Sequence, residues 1–261
     1  MTAGEELLDG CAAAAEAGAA VLRARWHQPR TIAKKGAIDL VTDADRASEA
    51  AVLAVLAERF PGADVLAEES GASGAGAGGL RFLVDPLDGT TNYAHGLPHF
   101  AVNVAVADGA GLAAGATCDP LRGELFLARR GGGATLGGAP VRPSGCAALS
   151  EALLVTGFPY DVHVAHQEVL RTFGAFLVRA RGVRRLGSAA LDLAWVACGR
   201  FDGFWEARLK PWDLAAGVLL AREAGALVTD LEGGERVLET GGVVAAAPGL
   251  HASMLEVIRA A

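Results

Sequence analysis

Apolar positions recur at helical spacing over residues 5–25, where Leu7, Leu8, Cys11, Ala15 and Leu22 share one face of an alanine-rich segment. This spacing predicts an amphipathic opening helix. Thr42 with Asp45 three residues on has the form of a capping box, and Val52, Leu53, Val55, Leu56 and Phe60 then form a buried stripe that Pro61-Gly62 ends. A second helix is therefore expected. Short apolar runs between turn formers predict strands at 64–67, 80–84, 100–107 and 112–118, with 124–128 as an edge strand.

Beyond about residue 143 the pattern changes to strands alternating with helices. Strands are expected at 153–156, 183–186 and 201–205, and helices at 166–179, 188–198 and 213–224, the last closed by Gly225. Further strands at 226–230 and 243–247 and a helix running to Arg259 complete the series. The alternation predicts a mixed α+β half, residues 1–142, packed against a layered α/β half, residues 143–261. No internal repeat is visible, and the low-complexity stretch 71–79 reads as a surface loop. No apolar stretch reaches the roughly 20 residues that span a bilayer. Glu5, Glu6, Asp9 and Glu16 precede the first arginines, the reverse of a secretory leader.

Composition narrows the function. With 52% hydrophobic and 20% charged residues, the 261-residue chain has a globular rather than a disordered makeup. Its 23 Lys and Arg against 30 Asp and Glu give a net charge of −7, which argues against nucleic acid or an anionic membrane as partner. An acidic protein that handles phosphate needs a cation to help. Cys11, Cys118, Cys146 and Cys198 form no CxxC pair, so a zinc ribbon or a disulfide scaffold is not expected, and reduced thiols in a cytoplasmic protein are.

Gly74, Gly76 and Gly79 satisfy GxGxxG, but the following Leu-Arg-Phe-Leu-Val reads as a strand rather than a helix, so the match has no dinucleotide-binding context. No GxSxG elbow, P-loop or HExxH is present, and a lone histidine such as His99 reads as structural. The specific signal is Asp85-Pro86-Leu87-Asp88-Gly89-Thr90-Thr91-Asn92, directly after the apolar run Phe82-Leu83-Val84. A buried strand ending in two carboxylates, with Pro86 restricting one backbone angle and Gly89 releasing another, delivers both acids into a small space. Like charges so close stay ionised only beside a cation, a basic group or ample water. An Asx-type turn, with Thr90 or Asn92 capping a helix, is the alternative.

Three further acidic positions gain meaning beside this motif. Glu68-Glu69 ends the strand at 64–67, although such a pair is also an ordinary solvated strand end. Asp213, in Lys210-Pro211-Trp212-Asp213, opens a helix, where aspartate serves as a cap, and Asp45 is accounted for by Thr42. Taken together the donors are carboxylates, a hydroxyl and main-chain carbonyls, a hard set that suits Mg²⁺, with Mn²⁺ as a substitute.

These blocks resemble the inositol monophosphatase family of Mg²⁺-dependent, lithium-sensitive phosphatases. The matching segments are Asp39-Leu40-Val41-Thr42-Asp43-Ala44-Asp45, Ala67-Glu68-Glu69-Ser70, Asp85 to Asn92, Gly187-Ser188-Ala189-Ala190, Asp202-Gly203-Phe204-Trp205-Glu206 and Trp212-Asp213 to Gly217, in the family's order. The resemblance implies a layered αβαβα sandwich of the sugar-phosphatase type. It further implies that Glu68, Asp85 and the carbonyl of Leu87 hold one metal, that Asp85, Asp88 and Asp213 hold a second, and that a third rests on Glu68 and water. Thr90 with Asp45 would orient and deprotonate the attacking water. The amides of Gly89 and Thr90 would cradle phosphate, and Gly187, Ser188, Ala189 and Glu206, with Asp88 and Asp213 beside them, would meet the substrate.

By the same resemblance the chain is a phosphomonoesterase acting on inositol 1-phosphate by direct in-line water attack, and a homodimer. Histidinol phosphate, fructose 1,6-bisphosphate and nucleotide 3′-phosphates are alternative substrates within the same metal motif. An interaction protein using Arg179, Arg181, Arg184 and Arg185 as a contact patch is the alternative of another class. Departures from the family pattern include Ala67 for glycine, Arg81-Phe82 for tryptophan and Asn103 for serine, none of them a metal ligand. Lys34 or Lys35 would sit on the loop that closes the family's site.

Overall fold

The computed structural model describes residues 2–28, 31–34, 40–74 and 79–261. Helix α1 (Ala3–Arg25) starts from a capping box between Thr2 and Glu5 and buries Cys11, Ala14, Ala15, Ala19 and Leu22. An antiparallel pair, β1 (Ile32–Lys34) and β2 (Leu40–Thr42), leads into α2 (Asp43–Arg59), where the expected Thr42–Asp45 box is formed. The small residues of α1 let α2 approach closely: a Cβ on Gly18 would stand 2.7 Å from the Ser48 hydroxyl. Lys34 falls in β1, whereas Lys35, Asp39 and Gly76 lie outside the described residues.

The next strands are β3 (Asp64–Ala67), β4 (Gly71–Ser73) and β5 (Arg81–Asp88), the last running into the short helix α3 (Thr90–Ala94). They are followed by β6 (Ala101–Asp108), β7 (Gly111–Asp119), β8 (Glu124–Arg129), β9 (Gly133–Leu136) and β10 (Ala139–Pro140). Together they form one eight-stranded sheet in the order β10-β9-β8-β7-β6-β5-β3-β4, with β3 parallel to β5. Two expectations are corrected here. The 124–128 segment is not an edge, because β9 pairs with β8 on its outer side, and residues 71–73 of the expected loop form β4, an antiparallel strand beside β3.

The rest of the chain supplies β11 (Leu153–Thr156), α4 (Val162–Leu177), β12 (Gly182–Arg184), α5 (Ala189–Ala197), β13 (Gly203–Glu206) and α6 (Pro211–Ala224). It ends with β14 (Leu227–Thr229), α7 (Val237–Thr240), β15 (Val243–Ala246) and α8 (His251–Ala260). A five-stranded sheet in the order β12-β11-β13-β15-β14 results, parallel at β12, β11 and β13 and antiparallel at β15. The helix expected at 166–179 begins earlier, at Val162.

Three main apolar clusters, the middle one spanning both sides of the central helices, hold five layers together. Helices α1 and α2 cover one face of the large sheet through Leu22, Val52, Phe82 and Val104. Helices α5 and α6 lie between the two sheets, where Leu193, Leu214 and Val218 meet Phe126 on one side and Phe204 on the other. Helices α4 and α8 close the far face of the small sheet through Phe176, Trp205 and Met254. The layered αβαβα expectation is thereby met.

Candidate active site

Strand β5 pairs regularly with β6 until Asp85 faces Asn103, after which the register shifts so that Asp88 faces Ala101. Pro86, which has no N–H to donate, sits in that irregularity, as a bulge allows. Gly89 then takes φ of +99° and starts α3. A Cβ there would stand 3.0 Å from the His99 carbonyl oxygen and 3.1 Å from Phe100, so both backbone angle and space require glycine. Sharp exit from a buried strand is what leaves Asp85, Leu87 and Asp88 together at one end of the sheet.

Asp45 satisfies both of its sequence readings with different oxygens. Its Oδ2 accepts from the Thr42 amide at 2.8 Å and the Thr42 hydroxyl at 2.6 Å, which completes the cap of α2. Its Oδ1 accepts from the Thr90 hydroxyl at 2.9 Å. Thr90 Oγ1 also lies 3.0 Å from the carbonyl oxygen of Leu87. Asp213 shows the same division: Oδ2 accepts from the Lys210 amide at 2.8 Å, capping α6, and the residue still lines the cleft.

Asp88 is held from the other half of the chain. Its Oδ2 accepts from the Ser188 hydroxyl at 2.6 Å and the Ala190 amide at 2.7 Å, so the positive end of α5 is turned onto this carboxylate. Ser188 caps α5 as well, accepting from the Leu191 amide at 3.4 Å, so its hydroxyl is already engaged. Asn92 joins the same two segments, donating at 2.8 Å to the carbonyls of both His99 and Leu186. Glu68 is placed by its own amide, which donates to Val84 at 3.1 Å as β3 ends beside β5.

One cleft of about 270 Å³ is lined by Glu68, Asp85, Leu87, Asp88, Gly89, Thr90, Gly187, Ser188, Ala189, Glu206 and Asp213. Asp45 stands behind Thr90 and reaches the cleft through it. All the site residues singled out in the sequence therefore meet here. Arg185, expected in a contact patch, lines the same cleft, as do Arg208, Lys210, Trp212 and the 157–160 turn, which the sequence reading gave no part in the site. The arginine patch is divided: Arg179 donates to Ala175 and Arg184 to Val183, while Arg185 turns inward over the Phe158 ring.

Burial dominates the electrostatics. It raises Asp85 well above the usual carboxylate range, and the charges of Glu68, Asp88 and Asp213 add to the effect. Burial pushes Asp213 up to about 8 with Asp88 assisting, and Asp88 up to about 6 against the opposing hydrogen bonds of Ser188 and Ala190. Glu206 is raised by burial to about 8, with Arg185 working the other way. His99 is pushed down to about 4 by burial, which keeps it neutral and fits its structural reading. Gly157 makes room for Glu206, since a Cβ there would overlap the Glu206 carboxylate oxygens.

The donors suit a hard cation: buried carboxylates that repel one another, a main-chain carbonyl, and no thiol or imidazole among the lining residues. Among the described residues no three His, Cys, Asp or Glu side chains close into a finished coordination shell. The acids flank the cleft instead, and an ion with part of its water retained fits such an arrangement.

Two sheets sandwiched with helices, and a cleft of converging acids beside a turn entering a helix, define a layered phosphoric monoester hydrolase. The chain belongs to the inositol monophosphatase family, whose model matches residues 4–261. It is 42% identical over 256 residues to the chloroplastic phosphatase IMPL1 of Arabidopsis thaliana, covering 96% of this chain and 69% of that protein. It is also 42% identical to the inositol-1-monophosphatase of Caulobacter vibrioides, covering 88% of this chain and 91% of that one. A 42% match to the Nus factor SuhB of Escherichia coli covers 87% and 85%. The solved inositol monophosphatase of Anabaena superposes with a TM-score of 0.90 at 39% identity, covering 99% and 97%.

Proposed function

We propose that the chain is a Mg²⁺-dependent phosphomonoesterase of small polyol phosphates, with inositol 1-phosphate as its foremost substrate and direct in-line water attack as its mechanism. The observation that carries this reading is the Asp45–Thr90 hydrogen bond at 2.9 Å, opening onto the cleft shared by Glu68, Asp85, Asp88 and Asp213. Glu68, Asp85 and the Leu87 carbonyl would hold one ion and Asp85, Asp88 and Asp213 another, with a third on Glu68. Bound Mg²⁺, or Mn²⁺ in its place, would supply positive charge to the phosphate and acidify a water.

The protein's own groups then have defined tasks. Thr90 has one proton to donate, to Asp45 or to Leu87, and its lone pairs accept from a cleft water, which sets that water's direction of attack. As the water loses a proton to Thr90 Oγ1, the Thr90 proton passes to Asp45 Oδ1, whose affinity for it is raised by burial. The amides of Gly89 and Thr90 face the phosphate oxygens. Glu206 exchanges hydrogen bonds with the alcohol's hydroxyls beside Gly187 and Ala189, its place secured by the bare Cα of Gly157.

We read residues 1–142 and 143–261 as the two halves that meet at the cleft, in support of which the large sheet draws its strands from 64–140 and the small sheet from 153–246. A homodimer is supported by the exposed apolar residues Val164, Leu170, Leu177 and Val178 on and after α4. A cytoplasmic location accords with four unbridged cysteines; no helix among the described residues is long and apolar enough to cross a membrane. Histidinol phosphate, fructose 1,6-bisphosphate and nucleotide 3′-phosphates remain the alternative substrates. A second reading, an interaction role beside catalysis, draws on the relatives named Nus factor SuhB. A phosphate-release screen over the four substrates, with and without Mg²⁺, tests the proposal. Mg²⁺-dependent release from inositol 1-phosphate supports it, and release from none of them overturns it.

A further inference from the structure

The cleft contains a cation to which this reading gives no task. Arg185 directly follows β12 and lines the cleft. Its guanidinium carbon lies 5.6 Å from the centroid of the Phe158 ring, and a Cβ on Gly187 would stand 2.6 Å from its Nη1. The group is thus seated between an aromatic face and a bare Cα, contacts that position a guanidinium without using its donors. Among the described residues it makes no hydrogen bond or ion pair. Other arginines behave differently: Arg208, in the same cleft, pairs with Asp161 at 2.6 Å and Arg200 with Glu124 at 2.5 Å.

Position along the cleft matters too. Phe158 follows Gly157, whose bare Cα faces the Glu206 carboxylate oxygens, so the guanidinium over Phe158 stands on the Glu206 side of the cleft, and Glu206 and the buried Asp192 both feel its charge. Resting on the phosphomonoesterase reading, we propose that Arg185 is a specificity-determining residue that receives a second anionic group, phosphate or carboxylate, on the alcohol part of the ester. An acidic cleft would otherwise repel such a substrate, and the planar fork of a guanidinium matches either anion in a bidentate manner.

The test is steady-state phosphate release by the full chain with Mg²⁺, on inositol 1-phosphate, fructose 1,6-bisphosphate and 3-phosphoglycerate. Wild type, Arg185→Gln, Arg185→Lys and, as a control outside the cleft, Arg179→Gln are compared. Arg185→Gln is expected to raise KM for one or both anionic esters about ten- to hundredfold, at least about tenfold more than it changes KM for inositol 1-phosphate, with kcat held within about twofold. Arg185→Lys recovers part of the loss. A response limited to the bisphosphate identifies phosphate as the preferred group, and one limited to phosphoglycerate identifies carboxylate. Equal changes on all three esters, no change on any, or a wild type inactive on both anionic esters overturns the assignment while leaving the phosphatase reading intact. Wild type releasing phosphate from none of the three overturns both.

Discussion

Asn103 Nδ2 donates to the main-chain oxygen of Trp212 at 2.7 Å, and Asn103 faces Asp85 across the β5–β6 ladder. Its Oδ1 accepts from the Thr117 hydroxyl at 2.7 Å, which fixes the amide's orientation. One buried side chain thus connects the strand of Asp85 with the first turn of α6, where Asp213 begins its work. Asn103→Ala leaves the buried Thr117 hydroxyl without its acceptor and removes the tie to the Trp212 carbonyl, an expected cost of about 1–3 kcal/mol. A melting curve and a Mg²⁺ titration of activity check this; wild-type stability with an unchanged Mg²⁺ requirement would refute it.

Thr90→Ala removes the donor to Asp45 and, on the proposed mechanism, the hydroxyl that receives the water's proton. We expect kcat to fall roughly a hundredfold to ten-thousandfold, with Thr90→Ser retaining most activity. If the alanine variant turned over at the wild-type rate, the proton path through Asp45 would be wrong.

Asp88→Asn keeps the shape that accepts from Ser188 and Ala190 but removes a charge. Mg²⁺-dependent phosphate release is expected to vanish while the circular dichroism spectrum is kept. In the wild type, lithium is expected to inhibit uncompetitively, read as parallel double-reciprocal plots.

Stability should carry the signature of the raised acids. A carboxyl whose folded pKa exceeds its unfolded value binds more protons when folded, so its stabilising effect is full below the unfolded pKa, near 4, and is lost as pH rises through the folded pKa. For Asp88 and Asp213 that upper limit lies at about 6 and about 8. Without Mg²⁺ these groups therefore favour the folded state less at pH 8 than at pH 5.5, and the ion relieves the repulsion where they are ionised. The Tm increase produced by MgCl₂ over EDTA is expected to be larger at pH 8 than at pH 5.5. An increase independent of pH would count against the metal assignment.

Gly157→Ala places a methyl group where the Glu206 carboxylate sits. Glu206 must move, and KM for a polyol ester is expected to rise more than kcat falls. A proportionate loss in both constants would instead indicate general damage to β11 and β13.

Much of this site was legible because its chemistry is local in sequence. Asp85 to Asn92 is a continuous segment, and the caps at Asp45 and Asp213 can be read from neighbours three residues away. Capping a helix and facing the site do not compete, since a carboxylate has two oxygens: Asp45 caps with one and accepts from Thr90 with the other. What escaped was set by tertiary placement. Residues 131–138 are so rich in glycine that β9 and β10 give no strand pattern, which left the interior strand β8 as a supposed edge. Arg179, Arg184 and Arg185 look alike in sequence, and only the seat over Phe158 distinguishes the one that turns inward.

Helices α2, α5 and α6 all begin on an oxygen of a cleft acid, through Asp45, Asp88 and Asp213. Fraying of any first turn would therefore loosen the acid it starts from, and with the proposed ions bound on Asp88 and Asp213, ion loading and helix ordering would form a single linked equilibrium. Amide hydrogen exchange in those three turns should slow together when Mg²⁺ is added, making the scaffold's breathing a gauge of its occupancy.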